Sequence, residues 1–135
     1  MADRWLAALS PKLRPGEYAF CAPVTMDRND LARLEPLMLF REEEGITVVL
    51  DIARARALQL PIRFVARWIT LEVYSDLEGV GLTAAFSRAL GEAGICCNVV
   101  AAVNHDHLFV PVDRAAQAIA VLEALQASAR AGDDD

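Results

Sequence analysis

Between Ile69 and Leu125 the chain spells one order of elements, strand, glycine turn, helix, strand, tight turn, strand and helix, which few folds accept. Ile69, Leu71 and Val73 alternate with Thr70, Glu72 and Tyr74, the period of a strand buried on one face. Leu82, Ala85, Phe86, Ala89, Leu90 and Ala93 then fall at i, i+3, i+4, i+7, i+8 and i+11, an apolar helical stripe that Gly94 ends. Thr83, Ser87, Arg88 and Glu92 occupy the opposite face. Ile95 to Val103 and His107 to Val112 read as two further strands, joined by a tight turn at Asn104 to Asp106. Asp113 is expected to cap a last helix with Ala115, Ala118, Ile119, Leu122 and Leu125 as its buried stripe, and the tail from Ala127 to fray.

The first half repeats this grammar more faintly. Trp5, Leu6 and Leu9 give a short amphipathic lead-in that Pro11 and the Pro15-Gly16 turn end. Tyr18 to Val24 reads as a strand, and Asn29 or Asp30 as the cap of a short helix that Pro36 stops. Leu37 to Arg41 and Ile46 to Leu50 form a hairpin around Glu42-Glu-Glu-Gly45, a solvated tip where Gly45 supplies a positive φ. Asp51 caps a helix to about Leu58, and a long strand from Arg63 to Tyr74 follows. β-α-β-β-α is thus written twice, and the long strand can end one unit and begin the next.

Charge narrows the partners. The chain of 135 residues carries 19 acidic against 13 basic side chains, a net charge of -6, whereas phosphate binding needs the opposite balance. Nucleic acid is excluded as a partner. No apolar run is as long as a membrane span needs, and the start, Met1-Ala-Asp-Arg-Trp, has no signal-peptide pattern, so the expected location is the cytoplasm. Hydrophobic residues make up 55% of the chain, more than a monomer of this size requires, which predicts a homodimer.

Motifs for catalysis and metal binding are thin. Cys21, Cys96 and Cys97 have no zinc spacing, and on an extended strand the adjacent pair would point to opposite faces, one thiol inward and one accessible. His105 and His107 share one side of a strand, but they are the only two histidines and a closed metal site needs more ligands. No metal and no cofactor are expected. Gly79 and Gly81 are followed by no Gly-Lys-Ser/Thr, so a nucleotide-phosphate loop is not supported.

Gly79-Val-Gly-Leu-Thr, Ala93-Gly-Ile95, Asn98-Val-Val and His105-Asp-His-Leu-Phe-Val-Pro111 resemble the ACT domain family, more closely the ACT repeats of aspartate kinases and the cytosolic arginine sensors. The whole chain resembles small bacterial proteins built from a tandem pair of ACT-like units. The resemblance implies an α+β, ferredoxin-like fold with antiparallel sheet and helices packed on one face. Residues 14–65 would be the N-terminal ACT-like unit and residues 66–128 the C-terminal one, with the long strand near 63–74 shared. It also implies an effector amino acid held between ACT units. Carried over by position, Val80, Gly81, Leu82 and Thr83 would lie at the first-helix turn, Asn98 and Val99 on the second strand, and Asp106 at an acidic position that meets the ligand.

The chemistry of those residues suits such a ligand. A helix start offers free N–H groups and partial positive charge to a carboxylate, and an aspartate accepts from an ammonium or guanidinium. The N-terminal half has no comparable glycine turn, so one site is expected, in the second half. The resulting reading is a non-catalytic amino-acid-binding regulatory protein whose output passes to a regulated protein partner. Two rivals are a structural oligomerisation module without ligand, in which the glycines serve only the turn, and a small enzyme using the His105-Asp106-His107 turn.

Overall fold

The computed structural model describes residues 2–133, in the order α1 (Ala2–Ala7), β1 (Pro11–Leu13), β2 (Tyr18–Val24), α2 (Arg28–Arg33), β3 (Met38–Glu42), β4 (Gly45–Asp51), α3 (Ile52–Ala57), β5 (Ile62–Leu71), α4 (Leu82–Glu92), β6 (Asn98–Ala101), β7 (Asp106–Pro111), a short 3-10 turn at Val112–Arg114 and α5 (Ala115–Asp133). Met1 and the last two residues of the acidic end lie outside the described residues. Gly16–Ala66 form one unit, and the segment before Gly16 forms the other together with everything from Arg67 on.

In the N-terminal unit the strand order is β3-β4-β2-β5, with all three pairs antiparallel: Tyr18 lies opposite Asp51 on one side and opposite Ala66 on the other. Strand alternation sends Ala19, Cys21, Val48 and Leu50 to one face, where Leu34 beside α2 and Ala55 of α3 cover them. The α2 cap is Asp27, whose Oδ1 accepts from the amide of Asp30 at 2.9 Å, and not Asn29 or Asp30. The helix therefore starts earlier than its apolar residues suggest. Asp51 caps α3 as expected, accepting from Ala53 at 2.9 Å and Arg54 at 3.4 Å.

In the C-terminal unit the order is β1-β5-β7-β6. Read as last, first, third and second strand of a β-α-β-β-α-β unit, this is the same order as in the N-terminal one. The edge place of the last strand beside β5 is taken by β1, in antiparallel register from Pro11 opposite Leu71 to Leu13 opposite Ile69. The sequence reading treated Pro11 as a stop, yet proline is tolerated at the first residue of a strand on an edge. Ile69, Leu71, Leu108 and Val110 face Phe86 and Leu90 of α4 and Ala118 and Leu122 of α5, all wholly buried, with Leu6 and Leu9 completing the cluster.

Several boundaries moved and one tail did not fray: β5 ends at Leu71, short of Tyr74, β6 at Ala101, short of Val103, and β7 at Pro111, short of Val112. β6 begins only at Asn98, leaving Ile95 to Cys97 as connection, and Asp106 is the first residue of β7 rather than part of the turn. α5 continues to Asp133 because its last turns have something to hold: Ala129 packs on the core and Arg130 Nε donates to the Ala7 carbonyl at 2.8 Å. Asp113 lies in the 3-10 turn, where no side-chain cap forms.

Candidate functional site

Gly81 is the N-cap of α4 and sits at φ +106, a left-handed conformation that a side chain would strain. No side chain caps this helix, so the first-turn amides that any α-helix leaves without internal partners are available to a ligand, at the positive end of the helix dipole. The loop leading there is fixed by Asp76, whose Oδ1 accepts from the Glu78 amide at 3.0 Å and whose carbonyl accepts from Gly79 at 2.9 Å.

Across from this helix start, β7 opens with Asp106, paired with Ala101 of β6. Strand alternation places its side chain on the face of Leu108 and Val110, toward the helices. Asp106 is 8% exposed, and among the described residues no hydrogen bond or ion pair reaches its carboxylate. Burial raises its pKa above the usual aspartate value, and the adjacent His107 offsets this only in part. The side chain is largely buried, yet its carboxylate oxygens keep contact with solvent in the cavity and are free to accept from a donor that enters it.

The two features share one small cavity of about 60 Å³, walled by Ser75, Asp76, Leu77 and Gly79 of the loop, Leu82 and Thr83 of α4, Ala101 and Ala102 after β6, Trp5 of α1, and Asp106. Leu82, Thr83 and Asp106, expected at the site, meet there. Val80 is 83% exposed and turns to a wider hollow of about 470 Å³ with Arg4, Glu78 and Trp5. Asn98 and Val99 lie outside the cavity wall: Ala101 and Ala102 stand in their place, with Asn98 about 10 Å further along the strand. Trp5 and Asp76 were missed. Asp76 belongs to a turn pattern before Gly79 that could have been read, whereas nothing local ties Trp5 to a loop more than half the chain away.

The histidines lie elsewhere. His107 Nδ1 accepts from Trp68 Nε1 at 3.1 Å and lies 3.2 Å from the Thr70 hydroxyl. Arg14 donates to the same hydroxyl at 3.0 Å, with its guanidinium 4.8 Å from the centre of the Trp68 ring. His105 stacks on Tyr74 with ring centres 4.7 Å apart. Burial first, then the positive neighbours His105 and Arg14, lower the His107 pKa. Both imidazoles occupy the face of β7 opposite the Asp106 side chain by strand alternation, so acid and imidazole do not converge on one cleft. Among the described residues no three His, Cys, Asp or Glu side chains come together as a metal site.

Other candidates are already engaged. Around a hollow of about 220 Å³ in the N-terminal unit, Glu42 accepts the Thr47 hydroxyl at 2.6 Å and Arg63 donates to the Ala22 carbonyl at 2.9 Å. Cys96 is exposed, while burial, followed by the neighbouring Cys96, pushes the half-buried Cys97 thiol up to about 11. No helix among the described residues is long and apolar enough to cross a membrane.

Comparison with known proteins bears on the family and the fold. Two family models described as ACT domain match the chain, over residues 3–67 and 63–124. A Vibrio cholerae protein of solved structure, titled a protein of unknown function and possible transport protein, is 42% identical, with 92% of this chain and 94% of that one covered and a TM-score of 0.83. A protein from Agrobacterium tumefaciens shares 19% identity over 86% of this chain and 87% of its own, with a TM-score of 0.61. The ligand-free regulatory subunit of aspartate kinase from Thermus thermophilus shares the fold at 7% identity, with 88% and 97% covered and a TM-score of 0.62. No curated protein matches. With two ACT models in tandem along its length and a relative of this identity across nearly all of it, the chain belongs to the ACT domain family.

Proposed function

We propose that this protein is a non-catalytic regulatory module that binds a free amino acid in its C-terminal unit, the ammonium at Asp106 and the carboxylate at the start of α4. The observation that carries the reading is the juxtaposition of a buried, unpartnered carboxylate with an uncapped helix N-terminus in one cavity. An α-amino acid is a small common molecule that carries both complementary charges, an ammonium and a carboxylate. Asp76 adds a second acidic group at the same wall and reinforces the preference for a cationic end. The separation of the imidazoles from Asp106 weighs against the small enzyme.

Output requires other chains. The exposed Tyr74, Leu77, Val80 and Val103 on the two loops framing the cavity support self-association as a homodimer, and a regulated protein partner would read the bound state. The composition supports a cytoplasmic setting.

A thermal-shift screen against the common amino acids, followed by calorimetric titration, tests the proposal, because a ligand of the folded state raises its apparent stability. Asp106→Ala should weaken binding more than tenfold, in line with about 1.5–3 kcal/mol for a hydrogen bond to a charged group, while the protein stays folded. Unchanged affinity in a folded Asp106→Ala protein would make the cavity structural. No shift with any amino acid would favour the oligomerisation module.

A further inference from the structure

We infer that Trp5 sets the size of the ligand: its indole is the wall that confines the Asp106 cavity to the smallest amino acids. This rests on the proposed amino-acid site and deepens it. The close approach of the indole to the loop is visible at Gly79. A β-carbon there would overlap the edge of the Trp5 ring, 2.7 Å from its Cζ3 and against its Cη2, so glycine lets the indole lie on this stretch of backbone.

Trp5 is held there from behind. Its helix α1 buries Leu6 in the core, and Leu9 follows just beyond the helix. Gln126, itself buried, accepts from the Ser10 amide at 2.9 Å and donates to the Ala7 carbonyl at 3.0 Å, and Arg130 donates to the same carbonyl. A side chain carried on so well anchored a turn is a fixed wall rather than a loose cover.

Trp5, Asp76 and Gly79 line both the inner cavity of about 60 Å³ and the outer hollow of about 470 Å³. The indole and the loop beneath it are therefore the partition between them. The inner space of about 60 Å³ equals the liquid volume of about two waters, which leaves a bound amino acid little room for a side chain. A longer side chain that grows toward the outer hollow meets the indole.

The experiment is calorimetric titration of glycine, L-alanine, L-leucine and L-arginine into wild type, Trp5→Ala and Trp5→Phe, each checked for folding by circular dichroism. Wild type is expected to bind glycine or alanine at least tenfold more tightly than leucine or arginine. Trp5→Ala should narrow or invert that ratio by tenfold or more, with Trp5→Phe between. If Trp5→Ala does not fold, the ratio in Trp5→Phe decides on the same criterion, a shift of threefold or more being required. Wild-type binding with an unchanged ratio in the folded variants would overturn the role of Trp5 and leave the amino-acid site standing. No binding by wild type or variants would overturn both, whereas binding gained only on removing the indole would support the partition.

Discussion

Asp106 carries opposite meanings for stability and for binding. Its pKa is raised in the folded state by burial, so the fold holds the proton more tightly than the unfolded chain does, whose reference value is 3.8. The sign follows: its contribution to stability is fully present below that value and is lost as the pH rises through the raised folded value. Asp106→Asn should therefore stabilise the ligand-free protein at neutral pH by about 1–2 kcal/mol, the penalty of a buried unpaired charge, and change little in acid. Urea denaturation of wild type and variant across the acid-to-neutral range checks it, and equal stability at neutral pH would show that the carboxylate is satisfied. The His107 contribution has the other sign: with its pKa lowered from 6.5, stability is full above that value and falls as the pH drops toward the lowered one. Because Asp106 and His107 interact, the difference between the two proteins at each pH reports the pair rather than Asp106 alone.

Among the elements, α1 and β1 are the ones whose local sequence says least about their place. β1 has only three residues, and its ladder beside Leu71, Thr70 and Ile69 is sustained by the clamp of Gln126 on Ala7 and Ser10 just before it. Gln126→Leu keeps the volume roughly but leaves the Ser10 amide without its acceptor, and it should cost about 1–3 kcal/mol. Hydrogen exchange should then show faster opening of residues 9–13 than of α4, because the α4 side chains Phe86 and Leu90 remain wholly buried. Uniform loss across both segments would mean that α1 and β1 do not form a separately releasable piece. The contrast with α4 is instructive: its stripe from Leu82 to Leu90 was legible because helix periodicity is local, and the three positions Leu82, Phe86 and Leu90 are its buried ones.

For the whole molecule, the proposed homodimer is checked by sedimentation at micromolar concentration, where wild type should run as a dimer and Leu77→Asp together with Val103→Asp should shift it toward monomer. Both positions are well exposed, at 61% and 73%, so the charges leave the chain's own core untouched. A wild type that stays monomeric would remove the dimer. What the sequence by itself determined were the features set by neighbours along the chain: the twice-written β-α-β-β-α order, the strand Tyr18–Val24, the α3 cap at Asp51 and the glycine start of α4. These follow from periodicity, capping and backbone sterics, which act within a few residues. Only the tertiary structure decided which distant residues became the site. Ala101 and Ala102 stand there instead of Asn98 and Val99, because the strand around them is shorter than its apolar run. Asp106 became a buried group because the strand starts one residue earlier than the turn pattern suggested, and alternation then turned it inward. Trp5 reached Gly79 because β1 fills the edge beside β5 and brings α1 with it. Side-chain periodicity gives the face of an element, but the pairing of distant edges depends on which backbone groups are left unsatisfied once everything nearer has folded.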